Sequence, residues 1–188
     1  MTIPQGQLFS TAAELRPRAA NISLLLLDVD GVLTDGSITY TQHGDEIKRF
    51  HVRDGSAIKI WQSLGLQVAI LSGRNSQAVE RRAKELGIGL ILQGRSDKYA
   101  ALPEVLDTAR RTASEVCAIG DDLPDLPLLL KCGLGVAVAD SCPELQSAAS
   151  YVTKAAGGHG AVRETIEWLL KLRGQWADVV EHYGKLHG

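Results

Sequence analysis

Short aliphatic runs and helical stretches alternate about five times between residues 22 and 172, the mark of a parallel sheet covered by helices on both faces. The first run, Ile22–Asp30, is largely apolar and ends in acid, as a central strand buried on both sides would. Leu66–Leu71, Ile88–Leu92, Val116–Ile119, Gly135–Ala139 and Tyr151–Thr153 read as the later strands. Asp54 can cap a helix that carries Ala57, Ile58, Ile60, Trp61 and Leu64 and stops at Gly65. A second helix runs from about Ser76 to Gly87, and a third covers Lys98–Arg111 behind Asp97, where Pro103 should break or kink it. Leu123–Cys132, with Pro124 and Pro127 in its first turns, Glu144–Ala149 and Val162–Leu172 are the remaining helices. At the start, a polar arm precedes a short helix over Ala12–Ala20, limited by Pro17. Ser37–Thr41 and Glu46–Val52 flank Gly44 and suit a hairpin. The expected fold is α/β, a Rossmann-like doubly wound parallel sheet in a single domain over residues 1–188. It carries a small hairpin insertion at about residues 35–53 and a tail at about 174–188.

In such sheets ligands sit beyond the carboxyl ends of the strands. After the first strand come Asp28, Asp30 and Thr34, in Asp-Val-Asp-Gly-Val-Leu-Thr. Ser72, Gly73 and Arg74 follow the second, Lys98 lies past the third, and Gly120, Asp121, Asp122 and Asp125 follow the fourth. Packed carboxylates repel, and one must take a proton unless a cation joins them. An all-oxygen donor set points to a hard ion, Mg²⁺ first. The Lys98 ammonium cannot bind a metal and the Ser72 hydroxyl need not; both suit an anion opposite the ion, namely phosphate. These residues also have simpler uses. Asp54 and Asp122 fit helix or turn caps, Ser72 fits an N-cap, and Lys98 taken alone fits a solvated helix charge. His43, His51 and His159 show no ligand spacing, Cys117 reads as core, and Trp61 and Trp168 read as packing. Trp176 and Tyr183 lie in a tail too short for its own core, which suggests contact with another subunit.

Composition removes other classes. Twenty basic against 22 acidic residues give a net charge of −2, so nothing favours nucleic acid or an anionic membrane as a partner. Three cysteines without CxxC spacing exclude a disulfide framework and fit a reducing cytoplasm. Nothing resembles a signal peptide, and Leu24–Leu27 is too short to span a bilayer.

The ordered motifs from Asp28 to Asp125 resemble those of the haloacid-dehalogenase-like phosphatases. Five further stretches are similar to one subfamily: His51-Val52-Arg53-Asp54-Gly55, Ser72-Gly73-Arg74, Gly120-Asp121-Asp122, Val136–Asp140 and Ala156–Glu164. That subfamily is the 3-deoxy-D-manno-octulosonate 8-phosphate (KDO-8-phosphate) phosphatases of lipopolysaccharide precursor synthesis. Relatives acting on 9-phosphorylated nonulosonates of the sialic-acid type share much of the pattern and supply the alternative substrate. The resemblance implies that Asp28 attacks phosphorus and becomes a transient aspartyl phosphate, while Asp30 protonates the departing sugar oxygen and then deprotonates water. It assigns Mg²⁺ to Asp28, the backbone carbonyl of Asp30 and Asp121, with Asp122 or Asp125 holding waters. Ser72 and Lys98 would bind the phosphoryl oxygens. The substrate's carboxylate calls for extra cations, for which Arg53, Arg74, Arg82 and Lys59 are candidates beside the backbone of His51–Gly55. The resemblance further implies a homotetramer in which the hairpin, Gly157–Gly160 and the tail help to enclose a neighbour's site.

Many members of this superfamily insert a cap between the first and second motifs or between the second and third. Here Asp30 to Ser72 leaves room only for the hairpin beyond one helix and one strand, and Ser72 to Lys98 leaves nothing spare. No cap domain is therefore expected, and neighbouring subunits would have to supply the lid. A response-regulator receiver also gathers acids, Mg²⁺, a hydroxyl and a Lys, but it places its phosphorylated Asp after the third strand. This chain has Leu92-Gln93-Gly94 there. A catalytically idle assembly domain would have no need for an acid at Asp30.

Overall fold

The structure is a computed structural model that describes residues 11–185; the polar arm up to residue 10 and the end of the tail, 186–188, lie outside the described residues. Its strands are β1 (Leu24–Leu27), β2 (Thr39–Tyr40), β3 (Glu46–Ile47), β4 (Gln67–Leu71), β5 (Leu90–Leu92), β6 (Val116–Gly120), β7 (Leu134–Ala137) and β8 (Tyr151–Val152). Its helices are α1 (Ala12–Asn21), α2 (Val52–Ser63), α3 (Gln77–Leu86), α4 (Lys98–Ala109), α5 (Leu126–Lys131), α6 (Pro143–Ala148), α7 (Ala161–Leu172) and α8 (Trp176–Lys185).

Four consecutive leucines make β1 the centre of the molecule, and every one is buried. Alternation sends Leu25 and Leu27 to one face and Leu24 and Leu26 to the other. On the first face they meet α1, α2, α3 and α7 through Ala19, Ile58, Trp61, Ala83 and Ile166. On the second they meet α4, α5 and α6 through Leu102, Val105, Leu129 and Leu145. Each large side chain so buried contributes about 1.5–3 kcal/mol. Trp61 is fully buried and donates its indole N–H to the Gln67 carbonyl at 2.9 Å.

The main sheet has the order β5-β4-β1-β6-β7-β8, and all its pairings are parallel. Leu24 pairs with Gln67 on one side and with Val116 on the other. The chain leaves β1 toward β4 and β5, then crosses to β6 and continues outward through β7 and β8. The direction reverses between β1 and β6, which opens a crevice at their carboxyl ends. Between Asp30 and Ser72 the chain holds only the β2–β3 hairpin, α2 and β4, so no cap domain is inserted there.

Several expected boundaries move. The hairpin ladder is confined to Thr39–Tyr40 against Glu46–Ile47; its legs are tied below that by the Arg49–Asp35 ion pair rather than by further backbone pairing. Val52 is not strand but the first residue of α2, with His51 extended as its N-cap. Asp54 does not cap its own helix. Its Oδ1 accepts the N–H of Arg163 at 2.7 Å and so caps α7 from across the fold. Pro103 does not interrupt α4, because Ala101, Leu102, Val105 and Ala109 bury one continuous face on either side of it. The same holds for Pro17 in α1, whose start is fixed by a capping box between Thr11 and Glu14. Leu123–Asp125 is a 3₁₀ turn ahead of α5. The described tail is helical: α8 buries Val179 and lays Trp176 against the core, with the Arg163 guanidinium 5.0 Å from the indole ring. Trp176 therefore has partners within its own chain.

Candidate active site

Asp28 leaves β1 directly into the crevice and is buried. Its carboxylate, that of Asp121 after β6 and that of Asp125 in the following turn each offer an oxygen within 4.8 Å of the others. Two glycines allow this crowding. Gly31 turns the chain at φ +95°, where a Cβ would stand 2.1 Å from Asp121 Oδ2. Gly120 has no Cβ where one would stand 2.4 Å from the Asp125 Cβ. Asp125 also accepts the backbone N–H of Asp121 at 3.3 Å, which closes the turn on itself.

Lys98, the first residue of α4, reaches across to this cluster. Its ammonium lies 2.7 Å from Asp28 Oδ1 and 2.6 Å from Asp125 Oδ1, and it is itself buried. Burial pulls the Lys98 pKa down, but Asp28 and Asp125 outweigh it and hold the ammonium above its usual value. The pKa values of the acids rise as well, which for a carboxyl disfavours the charged form. Burial, then the Asp125 charge, lifts Asp28 to about 6 against the pull of Lys98. Burial, then Asp28 and Asp125, lifts Asp121 to about 8. One ammonium does not neutralise three carboxylates, and the unsettled remainder is what a divalent cation relieves. The donors are all oxygens, so the set fits a hard ion such as Mg²⁺.

Ser72 is buried at the end of β4, and its hydroxyl accepts the Arg74 N–H at 3.3 Å. It caps no helix; Ser76 occupies the cap position of α3. Asp30 stands apart from the three clustered acids and pairs with Lys48 and, at 3.6 Å, with Arg74 Nε. Asp122 is exposed and outside the cluster, so of the two acids left open by sequence it is Asp125 that faces the crevice.

The other expected substrate residues do not gather at the acid cluster. Arg74 is bonded to Glu46 at 2.8 Å. Arg82 lies against Gly55, where a Cβ would stand 2.4 Å from its Nη2, and over the Phe50 ring at 5.9 Å. His51 is half-buried with Nδ1 unpaired, Val52 and Lys59 are exposed, and Asp54 is committed to α7. Arg53 faces a separate cavity of about 450 Å³ beside Lys154, His159 and Arg163, not the acid cluster. Gly157 and Gly158 pack in their own chain against the turn after β1, with the Gly158 N–H on the Val32 carbonyl at 2.9 Å. Sequence reasoning passed over Lys48 and Glu46. Their signal was the alternation Glu46, Lys48, Phe50 against Ile47, Arg49, which turns charge inward and leaves Ile47 and Arg49 exposed.

Comparison with known proteins places these features among relatives. Residues 90–164 match the family model described as haloacid dehalogenase-like hydrolase. The chain is 45% identical over 164 residues, 87% of each chain, to the 3-deoxy-D-manno-octulosonate 8-phosphate phosphatase KdsC of Escherichia coli (strain B / BL21-DE3). It superposes with a TM-score of 0.84 and 44% identity on the crystal structure of the enzyme of that name from Yersinia pestis, over 87% of this chain and 89% of that one. The TM-score is 0.87, at 39% identity over 90% and 98% of the two chains, for the Moraxella catarrhalis phosphatase in complex with a magnesium ion, a phosphate ion and a KDO molecule.

Proposed function

The chain belongs to the haloacid dehalogenase-like hydrolases, and within them to the 3-deoxy-D-manno-octulosonate 8-phosphate phosphatases; from that premise we propose that it is a Mg²⁺-dependent phosphomonoesterase that hydrolyses KDO-8-phosphate to KDO and phosphate. The observation that carries the reading is the crevice itself, where Asp28, Asp121 and Asp125 converge with Lys98, and Ser72 stands at the end of the strand next to β1.

Asp28 is the nucleophile. Its carboxylate attacks phosphorus as the bond from phosphorus to the sugar oxygen breaks, giving an aspartyl phosphate. Asp30 gives its proton to the departing oxygen and takes one from the water that hydrolyses the intermediate. Lys98 and Ser72 hold phosphoryl oxygens and spread the charge of the transition state. Asp28, Asp121 and the Asp30 backbone carbonyl would hold Mg²⁺, with Asp125 beside them, and the ion would supply charge neutralisation for the acids and for the phosphoryl group. Arg74, beside Asp30, and Arg82, against Gly55, are assigned the sugar acid's carboxylate, with the backbone of His51–Gly55 shaping the wall. Arg53 and Lys59 lie further out and steer the anion rather than grip it.

The same reading makes the molecule a single domain that relies on neighbours in a homotetramer and works in the cytoplasm. Open to water, the crevice needs a lid, and the hairpin offers exposed Ile38, Tyr40 and Ile47 for contact with a second copy. A comparison of kcat/KM for KDO-8-phosphate and for a 9-phosphorylated nonulosonate tests the substrate. Preference for the octulosonate by at least about tenfold, a difference of about 1.4 kcal/mol in transition-state binding, is expected. The reverse preference would overturn it.

A further inference from the structure

Asp30 is held by a lysine that no motif announces. Lys48 rises from the second leg of the hairpin with only 2% of its side chain exposed, and its ammonium bonds Asp30 Oδ1. Its second counter-ion, Glu46 Oε1, lies 3.4 Å away, and that same oxygen accepts Arg74 Nη2 at 2.8 Å. Arg74 Nε in turn stands 3.6 Å from Asp30 Oδ2, outside hydrogen-bonding range. Two cations and two acids thus close a ring, in which Asp30 is hydrogen-bonded through Oδ1 while its Oδ2 faces Arg74 Nε at 3.6 Å with no hydrogen bond made.

A buried ammonium is costly unless paired, so Lys48 is fixed in place by these acids and is not available to bind an incoming anion. The two buried lysines divide the acids between them: Lys98 serves Asp28 and Asp125, and Lys48 serves Asp30. We propose that Lys48 is a positioning residue for proton transfer, seated by Glu46, which holds one carboxyl oxygen of Asp30 so that the other meets the departing sugar oxygen. This rests on the phosphatase reading and on the role given there to Asp30. It makes the hairpin part of the catalytic apparatus of its own subunit. In the step concerned, the bond from phosphorus to the sugar oxygen breaks, phosphorus bonds to Asp28, and the Asp30 proton passes to the sugar oxygen. A displacement of about 1 Å in such a group can cost about 10²-fold.

The test uses the full chain with Mg²⁺ and two substrates. KDO-8-phosphate releases an alcohol that must be protonated, whereas p-nitrophenyl phosphate releases a phenolate that needs no acid. The value of kcat/KM reports the first phosphoryl transfer in both cases. For Lys48→Met, kcat/KM on KDO-8-phosphate is expected to fall about 10- to 100-fold through kcat, with KM little changed. On p-nitrophenyl phosphate it is expected to fall by no more than about threefold, because no proton transfer is lost there. Glu46→Gln should give the same pattern to a smaller degree. Equal losses on both substrates, or a loss confined to KM, would overturn the proposal, since the first marks a structural role and the second a sugar contact. A wild-type chain inactive on KDO-8-phosphate would instead overturn the phosphatase reading, so the two failures are told apart.

Discussion

At the scale of residues, the crevice is a set of charges that do not balance until a cation arrives. Burial and mutual repulsion raise Asp28 to about 6 and Asp121 to about 8. A carboxyl whose folded pKa lies above its unfolded value binds protons more tightly in the folded state. Its stabilising effect is complete below the unfolded value, about 4, and is lost as pH rises through the folded ones. After removal of divalent ions, the unfolding midpoint should therefore fall as pH rises from about 4 to about 8. Added Mg²⁺ should raise the midpoint far more at pH 8 than at pH 5, because at pH 5 protons already neutralise the acids. Calorimetry with and without chelator reads this directly, and an equal Mg²⁺ effect at both pH values would contradict it. Asp28, Asp30, Ser72, Lys98 and Asp121 were legible in the sequence because each follows a strand. Lys48 was not, because a lysine in a short hairpin looks like solvated charge until the fold turns it inward.

At the scale of elements, hydrophobic runs located all six strands of the main sheet, while the ends of elements were set by contacts far away in sequence. Asp54 looks like the cap of α2, yet it serves α7 because the start of that helix lies against it. The tail pattern Trp176, Val179, Val180, Tyr183 has helical spacing, but its length hid it; packing on α7 supplies what a short isolated helix lacks. Pro103 shows packing outweighing propensity. It is exposed on α4, and its removal costs no buried contact. Pro103→Ala should restore the missing backbone bond and stabilise the fold by about 1–2 kcal/mol, after allowing for the greater freedom of the unfolded chain. That corresponds to a rise of roughly 2–8 °C in the unfolding midpoint. A lower midpoint would mean that α4 depends on the proline ring.

At the scale of the whole molecule, the sheet gathers its chemistry at the place where the chain reverses direction, between β1 and β6, and among the described residues no inserted domain caps it. If neighbours complete the site, then Tyr40→Asp combined with Ile47→Asp, both at exposed hairpin positions, should lower the mass seen by light scattering and cut kcat/KM on KDO-8-phosphate by about tenfold or more. A dilute monomer with full activity would contradict that assembly. Beneath all of this lies the claim that Asp28 is the group that takes the phosphoryl from the sugar. The measurement that tests it most directly is Mg²⁺-dependent phosphate release from KDO-8-phosphate by the wild type and by Asp28→Asn, with thermal unfolding showing both chains folded. The expected result is steady turnover by the wild type and a loss of at least about 10³-fold in the variant, the scale found when a catalytic nucleophile is removed. Full activity in Asp28→Asn would contradict the account.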